Sequence, residues 1–137
     1  VREMDQGMFL TLAVFLGTWG TDSGAYFIGM LLGKKKLAPA VSPNKSWAGA
    51  IGGFITGIII ATAIGILIKG NVLIFFLWGC AAAVLGQVGD LCESALKRQA
   101  GVKDSGNFFP GHGGFLDRID SLLFVSALAY IFFGVLL

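Results

Sequence analysis

Four long, nearly unbroken apolar tracts decide what this chain can become. They run Met8–Gly33, Trp47–Lys69, Val72–Gly89 and Ile119–Leu137. Each approaches or exceeds the roughly 20 residues with which an α-helix crosses a hydrocarbon layer about 30 Å thick. The runs are continuous, whereas barrel strands alternate over ~10-residue segments, so a barrel is not expected. Of the 137 residues, 55% are hydrophobic and 13% charged, against about 25% charged in a typical soluble domain. The expected fold is therefore all-α: a polytopic membrane protein of about four transmembrane helices, forming one domain over residues 1–137. The opening VREMDQGM lacks the basic stretch, short apolar core and cleavage site of a signal peptide. A polar start without methionine, just ahead of a helix, is read as the C-terminal part of a longer protein.

Charge placement orients the bundle. Eight of the ten basic residues fall in two connections: Lys34, Lys35, Lys36 and Lys45 between tracts one and two, and Lys97, Arg98, Lys103 and Arg118 between tracts three and four. Basic loops stay on the cytoplasmic side. Both connections are thus expected to be loops on the cytoplasmic face of an inner (cytoplasmic) membrane. Cys80 and Cys92 lie about 18 Å apart along one helix, too far to bridge each other, and are read as buried packing residues.

Tract two carries Gly49, Gly53, Gly57, Ala61 and Gly65, a small residue at every fourth position. Helices in lipid associate through close backbone approach, so this stripe is read as a tight seam. Its partner is either another helix of the chain or a second subunit, which would make a homodimer.

Acids inside the tracts point to chemistry. Asp22 sits within GTWGTDSGAY, among Gly17, Gly20, Gly24, Thr18, Thr21 and Ser23. A lone carboxylate in a spanning helix costs at least ~2.5 kcal/mol and so faces a cavity or a partner. A polar pocket open to the cytoplasm is the favoured reading; the alternative is an acid satisfied by a lysine or a hydroxyl. Asp90 and Glu93 form one pair near the end of tract three, and Asp117 and Asp120 another at the start of tract four. A spacing of three places each pair on one helical face. Clustered carboxylates in low dielectric need a shared positive charge. Salt bridges to Lys97, Arg98 and Arg118 would supply it, and so would Mg²⁺, one ion or two, which suits hard oxygen ligands.

The connection SALKRQAGVKDSGNFFPGHGG adds Ser94, Lys97, Arg98, Lys103, Ser105, Asn107 and His112, with Gly111, Gly113 and Gly114 beside the helix start. GKKKLAPAVSPNKS adds Ser42, Lys45 and Ser46, stiffened by Pro39 and Pro43. Cations and exposed amides are what phosphate oxygens require. Phosphoryl or nucleotidyl transfer at a membrane face follows, with a lipid arriving from the bilayer, a phosphate donor from the water, and no nucleic-acid partner.

The pattern SxLKRxxxxKDSGxxxPGHGGxLDRID, from Ser94 to Asp120, resembles the signature of the phosphatidate cytidylyltransferases (CDP-diacylglycerol synthases). Upstream, DSGAYFIGMLLGKKKLAPAVSPNKSWAG and GDLCES resemble the family's preceding blocks, so the likeness runs from about Thr18 to the C-terminus. Ala48 stands where members usually carry glutamate, which puts the strength of metal or nucleotide binding in question. Members generally have several more membrane helices ahead of this region.

The resemblance implies transfer of CMP from CTP to phosphatidic acid, releasing pyrophosphate. It implies Asp90 and Asp117 as metal ligands, Asp120 and Glu93 as lesser ones, and Lys45, Lys97, Arg98, Lys103 and Arg118 as phosphate holders. Ser42, Ser94, Ser105, Gly113 and Gly114 would contact substrate, and Asp22 would orient a lysine or the metal shell. A phosphate monoester, with a second pKa near ~6, is already nucleophilic at neutral pH. His112 is therefore read as a phosphate or nucleotide contact ahead of a proton carrier. The nearest rivals are other CTP-using lipid enzymes, a polyprenol kinase or a CDP-archaeol synthase. From another class, a cation or proton transporter would use the acids as a relay, but gives no role to KDSG…PGHGG.

Overall fold

In the computed structural model, described over residues 7–102 and 116–136, four helices and one short hairpin follow in order. Helix α1 spans Gly7–Leu32, strands β1 and β2 span Lys36–Ala38 and Ser42–Ser46, and α2, α3 and α4 span Trp47–Leu67, Val72–Gln99 and Leu116–Leu136.

Local chemistry sets the boundaries. The Ser46 side chain caps α2 by accepting from the Gly49 amide at 3.1 Å, and Asn71 caps α3 by accepting from Leu73 and Ile74. A cap satisfies amides that have no partner in the first turn. Helix α2 stops where Lys69 turns left-handed (φ 54°) and the Gly70 amide bonds back to the Gly65 carbonyl at 2.9 Å. Helix α3 stops the same way at Gly101 (φ 70°), with Val102 bonding back to Lys97 at 3.0 Å.

Two expectations change here. Lys97 and Arg98, expected in the connection beyond the third helix, both lie in the last turn of α3. Hydropathy falls at Asp90, but no helix-breaking residue occurs before Gly101. The connection between α1 and α2 is likewise more than a stiff loop. It forms an antiparallel hairpin pairing Lys36 with Ser46 and Ala38 with Ser42, with an irregular register between.

The small-residue stripe is consumed within the chain. Gly49, Gly53, Gly57, Ala61 and Gly65 are all buried. A methyl group on Gly49 would stand 2.6 Å from the Ala25 carbonyl oxygen, and one on Gly53 2.6 Å from that of Thr21. Farther along, Gly65 meets the Phe75 side chain, and Gly79 of α3 meets Ala61. The first half of the stripe thus seats α1 and the second half α3. A homodimer through this seam is not what the fold uses it for, because the surface is already covered. The glycines flanking Asp22 do similar work, Gly20 against Ile60 and Gly24 against Thr56.

The apolar core lies at one end of the bundle. Leu10 of α1, Phe75 and Trp78 of α3, and Val125 and Phe133 of α4 are each at most 1% exposed. The Phe133 ring packs tilted against Phe75 and Trp78, with centroids 5.5 Å and 5.2 Å away. The outward faces stay greasy, with Phe27, Leu31, Ile55, Ile59, Leu73 and Ile131 all exposed. Such a surface marks an interaction with an apolar phase or partner. Helices α2 and α3 are long and apolar enough to cross a membrane, and Ile119–Gly134 of α4 is a shorter apolar stretch. The cysteines both fall on α3 as expected, but Cys80 is only half-buried and Cys92 is exposed, so Cys92 is not a buried packing residue.

Candidate active site

At the opposite end from the aromatic core, three helices and the hairpin bring charge together. Asp22 projects from α1, Asp90 and Glu93 from α3, Asp120 from α4, and Lys45 from β2. The Lys45 Nζ lies 2.5 Å from Asp90 Oδ2. Ser94, one turn along α3, donates to the other Asp90 oxygen at 3.5 Å. Glu93 is 7% exposed and takes Lys97 as an i,i+4 partner at 3.5 Å. Asp120 accepts from the Ser121 amide at 2.6 Å.

Two cavities meet at Asp22 and Asp90. One, of about 580 Å³, is lined by Trp19, Asp22, Asp90, Glu93, Lys97, Asp120 and Ser121. Four carboxylates face a single lysine there. The other, of about 540 Å³, lies beneath the hairpin. Its polar lining includes Lys36, Asn44, Lys45, Ser46 and Gln87, and its apolar lining includes Ala25, Tyr26, Met30 and Leu37. Asp22 opens into both cavities, and neither nearby threonine serves it. Thr18 and Thr21 are buried and donate to their own helix, to the carbonyls of Val14 and Gly17.

The hairpin is pinned where it carries Lys45. The Trp47 amide donates to the Lys35 carbonyl at 3.0 Å, and Arg98 Nε donates to the Val41 carbonyl at 3.3 Å. Arg98 also reaches the Val102 carbonyl at 3.5 Å. Its guanidinium thus ties the hairpin tip to the end of α3. Ser42 pairs across the hairpin with Ala38. Ser94 turns its hydroxyl to Asp90.

Sequence reasoning missed Gln87, whose amide donates to the Ala50 carbonyl at 3.1 Å and fastens α3 to the start of α2. An amide one turn before Asp90, within an otherwise apolar stretch, was the available signal. It also missed Lys36, Asn44 and Tyr26 as cavity residues. Among the described residues, no three acids, cysteines or histidines lie close enough together to hold a metal ion between them. Lys103, Ser105, His112, Gly113 and Gly114 lie outside the described residues, and Asp117 and Arg118 are described only as part of the first turn of α4.

Residues 1–136 match the model of the Cytidylyltransferase family. The chain is 49% identical over 138 aligned residues to a phosphatidate cytidylyltransferase of Haemophilus influenzae, covering 95% of this chain and 48% of that protein. A Bacillus subtilis protein of the same name is 46% identical over 133 residues, covering 95% and 49%. Another, from Staphylococcus saprophyticus, is 46% identical over 125 residues, covering 90% and 48%. The chain therefore spans about half the length of these relatives. A match over nearly every residue, including those that gather at the charged end of the bundle, makes this chain a member of the cytidylyltransferase family.

Proposed function

We propose that this chain forms the catalytic end of a CTP:phosphatidate cytidylyltransferase. One observation carries the reading: acids from three helices and a lysine from the hairpin converge where two cavities meet. The relatives' shared name supplies the reaction.

In this reading all four helices cross the bilayer, and the hairpin and the α3–α4 connection face the cytoplasm. The greasy outer faces and the concentration of basic residues at one end support it. A phosphate oxygen of phosphatidic acid attacks the α-phosphorus of CTP. The bond from that phosphorus to the β-phosphate bridge breaks, CMP passes to the lipid and pyrophosphate leaves. The attacking group needs no general base, since the monoester is largely ionised at neutral pH. The work of the site is to bring two anions together and to stabilise charge on the leaving group.

The residues divide that work. Lys45 and Lys97 sit on the cavity walls and offer phosphate oxygens a cation each. Arg98 holds the hairpin so that Lys45 stays beside Asp90. Four carboxylates lining one cavity would repel a triphosphate, and a hard cation held there would offset that repulsion. The donor set fits Mg²⁺, which takes one or two carboxylates and fills its remaining positions with waters and substrate phosphates. Asp90 and Asp120, with Asp117 on the same helix as Asp120, are the proposed holders; bound there, the ion would supply charge neutralisation on the phosphates.

The test is a product assay on the full-length protein in detergent with CTP, phosphatidic acid and Mg²⁺. Pyrophosphate and CDP-diacylglycerol should accumulate together. Release of CDP with a newly phosphorylated lipid would mark a kinase instead, and ion movement with CTP left intact would mark a transporter.

A further inference from the structure

The two cavities differ in charge and in what they open towards, and that difference assigns them. The hairpin-roofed cavity takes Lys36, Lys45, Asn44 and Ser46 from above, and its acids are only the shared wall, Asp22 and Asp90. Its other side is apolar, formed by α1 residues that also lie on the outer surface: Tyr26 is 66% exposed and Met30 63%. A ligand here can keep an anionic head under the lysines while its apolar remainder leaves sideways along α1. Among the described residues, the acid-lined cavity has only Trp19 of α1 as an exposed apolar neighbour, and it holds four carboxylates. Its ligand must bring or share cations.

We infer that the hairpin-roofed cavity receives the phosphomonoester headgroup of the lipid substrate, with Lys36 and Lys45 as its cations and Tyr26 and Met30 as the wall along which the chains exit. The nucleotide's polyphosphate is left to the acid-lined cavity. This assignment rests on the cytidylyltransferase reading and names where one substrate of that reaction sits. The volume, about 540 Å³, is of the size that holds a small-molecule headgroup. It also explains the position of the Lys45–Asp90 pair. The pair stands in the wall common to both cavities, so a phosphate drawn to Lys45 arrives at the boundary across which its oxygen must attack.

Lys36 is the sharpest probe, because it is exposed on β1 and lines this cavity alone. Steady-state kinetics of full-length Lys36→Met and Tyr26→Ala in mixed micelles should show KM for dihexanoyl phosphatidic acid raised about tenfold, the scale of one lost charge-assisted hydrogen bond for the lysine. KM for CTP should stay within about twofold, and Lys36→Arg should recover most of the loss. Calorimetric titration with dihexanoyl phosphatidic acid, without CTP, should show the same tenfold weakening in Lys36→Met. A rise in KM for CTP instead, or no change in either constant or in lipid binding, would overturn the assignment. Because the titration needs no turnover, failure to form CDP-diacylglycerol would defeat the proposed reaction while lipid binding still decided the cavity.

Discussion

The two ends of the bundle are built on opposite principles. Around Phe75, Trp78 and Phe133 the helices close on one another through tilted, packed rings and small residues, with Leu10 and Val125 buried in the same cluster. Around Asp22, Asp90 and Asp120 the same helices stand apart, leave cavities and fill the gap with charge. Small residues along α2 serve both ends, drawing α1 close at Gly49 and Gly53 and α3 close at Ala61 and Gly65. The lesson is a division of labour along each helix: the tight end fixes the helices, and the open end uses their fixed directions to aim acids at a common space.

Substitutions at each end should then separate stability from turnover. Phe133→Ala removes a fully buried ring and should lower stability by about 3–5 kcal/mol, seen as a large drop in melting temperature, with KM values of the surviving enzyme unchanged. Asp120→Asn should do the reverse: melting unchanged and kcat down about 100-fold, the scale of a lost electrostatic contact to the reacting phosphates. Arg98→Met should fall between. Freeing the hairpin tip should reduce kcat/KM by about fivefold, since a charge-assisted contact to the exposed end of a loop contributes near the lower end of its range. Equal losses of stability and activity at all three positions would erase the distinction between the ends.

Much of this was legible in the sequence. Hydropathy placed the four helices, because length and continuity of apolar residues leave few other folds. The fourfold spacing of Gly49, Gly53, Gly57, Ala61 and Gly65 revealed the seam, although only the packing shows that its partners are α1 and α3. Spacing also paired Asp90 with Glu93, but the two differ in surroundings: Glu93 is buried beside Lys97, while Asp90 takes Lys45 from a distant strand.

What stayed hidden has physical causes. The length of α3 was hidden because hydropathy reports where lipid-compatible residues stop, whereas a helix stops at a residue such as Gly101 that can turn left-handed. The hairpin was hidden because strands of three and five residues, one containing Pro43, carry too little alternation to read. The tie that Arg98 makes between elements was hidden because residue type says nothing of a partner 57 positions away, the Val41 carbonyl. Ile59 and Leu31, exposed on the flanks, illustrate the opposite case, where a greasy surface is legible as a whole but no single residue matters.

The most direct measurement is pyrophosphate release by full-length Asp90→Asn at saturating CTP, phosphatidic acid and Mg²⁺, alongside its melting curve. Among the described residues, Asp90 both pairs with Lys45 and lines the two cavities, so turnover should fall by at least about 100-fold while the melting temperature holds. Near-normal turnover in a folded Asp90→Asn protein would contradict a reaction centred where the acids of α1, α3 and α4 converge.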